Sequence, residues 1–120
     1  MGKQIMITYL ALLQLKHWYV DFVLQNDDMV KGKAIYGNKM GLWHSGQHGL
    51  FTFLITVLIV GWQFALFIGL LDFVTHYHID WVKMNYGNRD IANPLFWNHL
   101  GLDQMAHQIV YLILAGIIFL

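Results

Sequence analysis

Four long apolar segments constrain this chain more than any other feature of its sequence. They run over about residues 5–24, 42–60, 63–84 and 95–120. Each is close to the roughly 20 residues that a helix needs to cross a bilayer. A spanning segment must satisfy its own backbone hydrogen bonds, and four segments are too few for a closed barrel. All four segments are therefore predicted to be helices.

The composition favours a membrane protein over a soluble one. The chain is 58% hydrophobic and 12% charged, whereas about 25% of the residues in a typical soluble domain are charged. A soluble domain of this length cannot bury so much apolar surface. The formal net charge of +0 gives no indication of a nucleic-acid partner, and the absence of cysteine excludes disulfides and thiolate metal sites. The predicted fold is an all-α, up-down bundle of four transmembrane helices, forming one domain over residues 1–120.

The basic residues predict how such a bundle is oriented. The loops 25–41 and 85–94 and their flanks hold most of the positive charge, whereas Lys3 stands alone on the other side. The positive-inside rule then places both loops in the cytoplasm and both termini outside. The first segment lacks a small-x-small cleavage site, so it is predicted to be a retained helix rather than a signal peptide.

Each apolar segment also carries a pair of His or Asp residues spaced i,i+4, which lie on one helix face one turn apart. With seven His and seven Asp in the chain, about one or two such pairs are expected by chance, whereas six occur. Four of them fall one to a segment, and the other two are Asp72/His76 and His99/Asp103. The four are His17/Asp21, His44/His48, His76/Asp80 and Asp103/His107.

The up-down topology places these four pairs at the same end of the bundle. Each pair begins roughly 17 to 21 Å from the far end of its helix, at 1.5 Å per residue. All four therefore share one level, past the midplane of a hydrocarbon core about 30 Å thick and toward the cytoplasm. Ionisable residues at such a depth are functional by default. The pattern predicts a metal site in the bundle core, with these ligands: His17, Asp21, His44, His48, His76, Asp80, Asp103 and His107.

Imidazole combined with carboxylate suits zinc, iron or manganese. Zinc is the first choice, because an open zinc site activates water. One or two ions are expected, and eight ligands favour two. One of the three carboxylates Asp21, Asp80 and Asp103 is predicted to act as a general base. Supporting roles around the ligands are predicted for a further set of polar residues: Asp72, Gln25, Gln104, Lys83 and His99. His78 points away from the His76/Asp80 face and is predicted to be interfacial.

The stretches "HWYVDFVLQ", "HSGQHG", "THYHIDWVK" and "DQMAH" resemble, in order and over nearly the whole chain, the DUF3307 family of small bacterial and phage membrane proteins of unknown function. A looser resemblance is to membrane-bound metal-dependent hydrolases. The resemblance implies a bacterial inner-membrane or phage-encoded protein with a metal site, and it implies no substrate.

These observations favour a hydrolase in which a metal-activated water attacks a phosphoester or lipid-linked substrate. A divalent cation or proton transporter is the alternative, and the nearly apolar outer halves of the helices argue against it. A third option is a non-catalytic, metal-stabilised membrane interaction protein. The expected partners are the lipid bilayer and a lipid or phosphorylated substrate, and a homo-oligomer remains open.

Overall fold

The computed structural model describes residues 2–120, and the prediction of an all-α fold is confirmed. The helices are α1 (Gly2–Trp18), continued by a π-helical segment (Tyr19–Leu24), then α2 (Asp27–Lys33), α3 (Lys39–Thr56), α4 (Trp62–Tyr86) and α5 (Pro94–Phe119). The short helix α2 lies within the stretch 25–41, which was expected to be a loop. Asparagine side chains cap three helix starts: Asn26 for α2, Asn38 for α3 and Asn93 for α5.

The four long helices form a ring in the order α1, α3, α4, α5, and α2 packs across the end of α3 and α4. Contacts at both ends show that α1 and α3 are antiparallel. Tyr9, early in α1, hydrogen-bonds Thr56 at the end of α3, whereas His17, late in α1, lies beside His48 near the start of α3. An apolar core fills the end that holds both termini, and the predicted polar pairs lie toward the other end.

Two glycines allow α3 and α4 to approach closely. A Cβ atom on Gly49 would lie 2.8 Å from the carbonyl oxygen of Gly69, and a Cβ on Gly69 would lie 2.8 Å from the carbonyl oxygen of Gly49. No side chain fits there without moving one helix. The contact therefore fixes how near the polar residues of α3 lie to those of α4.

We expect Gly49→Val to lower the free energy of unfolding by about 1–3 kcal/mol, because it overpacks this contact. Thermal unfolding measures the effect. Gly46→Val is the matched control on the same helix, since a Cβ at Gly46 meets nothing within 4 Å. Equal melting temperatures for the two variants would contradict the close-contact interpretation.

Within residues 2–120, α5 is the one helix that is long and apolar enough to cross a membrane, and 28% of its most apolar window is buried. Four helices were predicted to span a membrane, and one has the length and composition to do so, so the four-span bundle is not supported. The core helix of a soluble protein passes the same test. The α1 helix ends at Trp18 after 17 residues, and α3 and α4 carry buried histidines and aspartates that lower their hydropathy.

Candidate metal centre

The structure brings the four i,i+4 pairs together in the interior of the bundle, toward the end on which α2 packs. The five histidines are buried, and the carboxylates of the three aspartates are at most 8% exposed. Their rings and carboxylates face one another across the axis formed by α1, α3, α4 and α5. The helix spacing seen in the sequence therefore produces one cluster, which we call the His/Asp cluster: His17, Asp21, His44, His48, His76, Asp80, Asp103 and His107.

The first group of ligand atoms surrounds Asp21. Its Oδ1 lies 2.7 Å from Nε2 of His48, 3.1 Å from Nε2 of His44 and 3.8 Å from Nε2 of His76. One ligand atom from each of these four residues lies within 4.8 Å of the others. Four donors from three helices at this separation could hold one metal ion.

The second group surrounds Asp80. Its Oδ2 lies 3.2 Å from Nε2 of His76, and its Oδ1 lies 3.1 Å from Nε2 of His107. His76 belongs to both groups, and its ring stacks on the rings of His48 and His107 with centroid separations of 3.6 and 3.9 Å. The two groups are therefore adjacent, an arrangement that suits two neighbouring ions.

Several atoms in the cluster are buried but lack a hydrogen-bond partner among residues 2–120. They are both ring nitrogens of His44 and of His76, Oδ2 of Asp80 and Oδ1 of Asp103. A buried unsatisfied polar atom costs about 1–3 kcal/mol. Some of these atoms approach within 4 Å of one another without hydrogen-bond alignment, which is how ligand atoms around a common ion are disposed. The donor set therefore fits a divalent metal.

His17 and Asp103 flank the two groups. His17 forms hydrogen bonds at both ring nitrogens, Nδ1 with the Tyr111 hydroxyl at 2.8 Å and Nε2 with Oε1 of Gln104 at 2.8 Å, and its Nε2 lies 3.2 Å from Oδ2 of Asp21. Oδ1 of Asp103 lies 3.4 Å from Nε2 of His107. These two residues can orient the ligands or complete the coordination of an ion.

A local widening of the first helix positions Asp21. The sequence predicts a regular helix to Leu24, but the turn from Tyr19 onward is π-helical. Such widened turns are rare and frequently occur at functional sites. Here the turn lets one carboxylate present Oδ1 to three histidines of α3 and α4 while Oδ2 faces His17 of its own helix.

Two lysines, Lys33 on α2 and Lys83 on α4, lie beside carboxylates of the His/Asp cluster. Nζ of Lys33 lies 3.3 Å from Oδ2 of Asp80 and donates to Oε1 of Gln25 at 2.7 Å. Nζ of Lys83 lies 3.3 Å from Oδ2 of Asp103. Lys33 had been counted only as a loop charge, yet it is 5% exposed. Because α2 was not predicted, nothing in the sequence placed Lys33 beside Asp80.

A buried ion pair lies next to the His/Asp cluster, on the side of the two termini, and the sequence did not predict it. Lys16 donates to Oδ2 of Asp72 at 2.8 Å and to Nδ1 of His48 at 2.9 Å, and Thr52 donates to the same Asp72 oxygen at 2.5 Å. Lys16 and Asp72 are 4% and 1% exposed. A lysine inside the first apolar segment was the available signal, because a buried ammonium needs an acid partner.

The contact with Lys16 also determines which ring nitrogen of His48 carries the proton. An ammonium can only donate, so Nδ1 of His48 accepts and the ring carries its proton on Nε2, which donates to Oδ1 of Asp21 at 2.7 Å. Coordination through that nitrogen would require the proton to leave.

Two further histidines lie outside the cluster. His78 is exposed and shares a 2.9 Å hydrogen bond with the Tyr36 hydroxyl. Nδ1 of His99 accepts from the backbone N–H of Asn88 at 2.8 Å. Neither ring belongs to the groups that could hold an ion.

Fold and site together define an all-α bundle with a buried His/Asp cluster able to hold metal. The family described as "protein of unknown function (DUF3307)" matches residues 9–120. The chain belongs to this family, as the sequence motifs indicated. No match was found among curated proteins or among solved structures.

Proposed function

We propose that the protein is a membrane-embedded, metal-dependent hydrolase acting on a phosphoester or lipid-linked substrate. The observation that carries this proposal is His76, whose ring belongs to both ligand groups and has neither nitrogen hydrogen-bonded within the described chain. A shared ligand position between two carboxylate-centred groups supports a dinuclear site of the kind that clamps phosphoryl substrates.

The ligands divide between two ions. Asp21, His44 and His48 would hold the first, Asp80 and His107 the second, and His76 would serve either one. Imidazole with carboxylate suits zinc first, with iron or manganese as alternatives. When bound, a divalent cation supplies Lewis acidity, which activates water and offsets the negative charge that develops on a phosphoryl group.

Among the three carboxylates, Asp103 is the best candidate for the general base. It lies outside the two tight ligand groups and lines a groove between α4 and α5 that opens to the surface. In hydrolysis the oxygen of water would join phosphorus, the phosphoester bond would break, and the proton would pass by way of the base to the released alcohol.

Membrane embedding is supported by the outer surface of the bundle. Representative large apolar side chains on every long helix are 43–64% exposed, whereas the polar His/Asp cluster is buried. Extensive exposed apolar surface is typical of a partner-binding or membrane-facing surface. Representative residues are Ile7 and Leu15 on α1, Leu50 and Leu54 on α3, Leu66 and Leu70 on α4, and Leu112 and Ile113 on α5.

The proposed orientation puts α2 and the His/Asp cluster toward the cytoplasm, with both termini outside. The long axis of the molecule is 46 Å, enough to cross a hydrocarbon core of about 30 Å. Tryptophans at the helix ends, such as Trp18, Trp43, Trp62 and Trp97, are 55–59% exposed, as in an interfacial aromatic belt.

We expect the protein to stay in the membrane pellet after alkaline washing; release into the supernatant would contradict embedding.

A transporter of divalent cations or protons is the second candidate, and one observation favours it. Polar contacts continue beyond the cluster from His48 through Lys16, Asp72 and Thr52 to Thr56, whose hydroxyl lies 2.9 Å from that of Tyr9. The outer half of the bundle is thus less apolar inside than its sequence indicates. Metal or proton flux into protein-containing vesicles, without hydrolysis, would favour this candidate.

Metal content and hydrolysis test the first candidate. Protein purified without chelator is expected to contain one or two equivalents of transition metal by elemental analysis and to hydrolyse a phosphoester such as bis(p-nitrophenyl) phosphate. Asp103→Asn is expected to lower kcat by about 10²- to 10⁴-fold, the usual contribution of general base catalysis, while retaining metal. Asp90→Asn, an exposed loop carboxylate, is the control. Metal-free wild-type protein would defeat the proposal.

A further inference from the structure

A small cavity of about 150 Å³ with both polar and apolar lining residues lies beside the His/Asp cluster, under the loops at the α2 end of the bundle. Three cationic side chains line it, and no acidic side chain within residues 2–120 does. The polar lining consists of Gln25, Lys33, Lys83, Asn88, Arg89 and His99.

Two of these cations connect the cavity to the cluster. Lys33 contacts Asp80 and Lys83 contacts Asp103, each at 3.3 Å between Nζ and Oδ2. The third, Arg89, is exposed and makes a contact with the sulfur of Met84 but no ion pair within the described chain. An anion in the cavity would therefore lie one side chain away from the candidate metal ligands.

An apolar groove of about 450 Å³ adjoins this cavity between α4 and α5. Lys83 and His99 line both spaces. Beyond them the groove wall is apolar and half exposed, with Val82 at 50% and Leu102 at 53%, and Asp103 of the cluster lies in its floor. Together the two adjoining spaces offer a cationic lining on one side of Lys83 and His99 and a mainly apolar lining on the other.

We propose that this combined site binds an anionic lipid whose phosphate sits among Lys33, Lys83 and Arg89 and whose acyl chain lies in the groove. This inference rests on the proposed function, for which it names the substrate class as a lipid phosphate ester. Complementarity of charge at one end and of hydrophobicity at the other selects an amphiphile over inorganic phosphate. Arginine and lysine are the side chains that bind phosphate oxygens.

Binding of dioctanoyl phosphatidic acid to the full-length protein in non-ionic detergent tests the proposal. Native mass spectrometry with EDTA present measures lipid binding independently of metal. We expect binding that neither dioctanoylglycerol nor inorganic phosphate at equal concentration displaces. Displacement by dioctanoylglycerol would overturn the phosphate part of the proposal, and displacement by inorganic phosphate would overturn the lipid part.

Two matched pairs of variants locate the site. Arg89→Gln should weaken binding by about tenfold, the effect of losing one charged hydrogen bond, whereas Lys31→Gln, an exposed cation on α2, should leave it unchanged. Val82→Trp should fill the groove and weaken binding, whereas Val74→Trp, on the same helix and 49% exposed, should not. Equal effects within either pair would place the lipid elsewhere.

The outcomes separate this inference from the proposed function. Lipid binding in EDTA by a protein that never contains metal would leave the lipid site intact and defeat the hydrolase. Metal binding and hydrolysis of small phosphoesters without lipid binding would leave the hydrolase intact and overturn the lipid site.

Discussion

His76→Ala is expected to weaken binding of divalent metal by more than about 100-fold. Loss of a residue that only supports a ligand costs about 10- to 100-fold in metal affinity, and His76 is itself the ring common to both ligand groups. The variant should therefore lose at least one ion. Elemental analysis after gel filtration measures the loss, and metal titration with a competing chelator measures the affinity.

His78→Ala is the control for this prediction, because His78 is two residues away on the same helix, is exposed and takes no part in either group. It should retain the metal content of the wild type. The same experiment on His44→Ala distinguishes the two groups, since His44 belongs only to the one around Asp21; this variant should lose about one equivalent. Wild-type metal content in His76→Ala would refute the shared-ligand arrangement.

Lys16→Met is expected to cost about 3–5 kcal/mol of stability, because it leaves the Asp72 carboxylate buried without its cation. The two charged atoms are 2.8 Å apart and both side chains are at most 3% exposed. For a chain of this size the melting temperature should fall by roughly 10–20 °C. Thermal unfolding followed by circular dichroism in detergent is the measurement.

A double variant shows whether the ion pair itself is responsible. Lys16→Met/Asp72→Leu removes both charges and should recover most of the lost stability, since an apolar pair often replaces a buried ion pair at little cost. Lys3→Met, an exposed lysine of the same helix, should be neutral. A double variant as unstable as Lys16→Met alone would mean that packing, rather than the unpaired carboxylate, accounts for the loss.

The helices were predictable because long apolar segments and turn residues are local signals. The boundaries of α4 and α5 lie within two residues of the prediction. The π-helical turn at Tyr19–Leu24 and the short helix α2 were not predicted. Both depend on contacts with other parts of the chain, namely the histidines around Asp21 and the packing of α2 on α3 and α4.

The convergence of the four pairs was predictable for a related reason. An i,i+4 spacing fixes a helix face, and an up-down order fixes the end of the bundle, so both follow from sequence positions alone. The pairing partners were not fixed in this way. Asp21 contacts histidines of α3 and α4 as well as its own His17, and which histidines those are depends on the rotation of each helix.

The sequence by itself determined the helical class, the family and the eight residues of the His/Asp cluster that face the interior, because apolar length and periodicity are properties of single segments. Tertiary structure alone decided that His76 is shared by two ligand groups, that Lys16 pairs with Asp72, and that Lys33 and Lys83 connect the cluster to a cationic cavity. Each of these depends on distances of a few ångströms between helices. The Gly49–Gly69 contact and the packing of α2 set these distances, and no single segment encodes them.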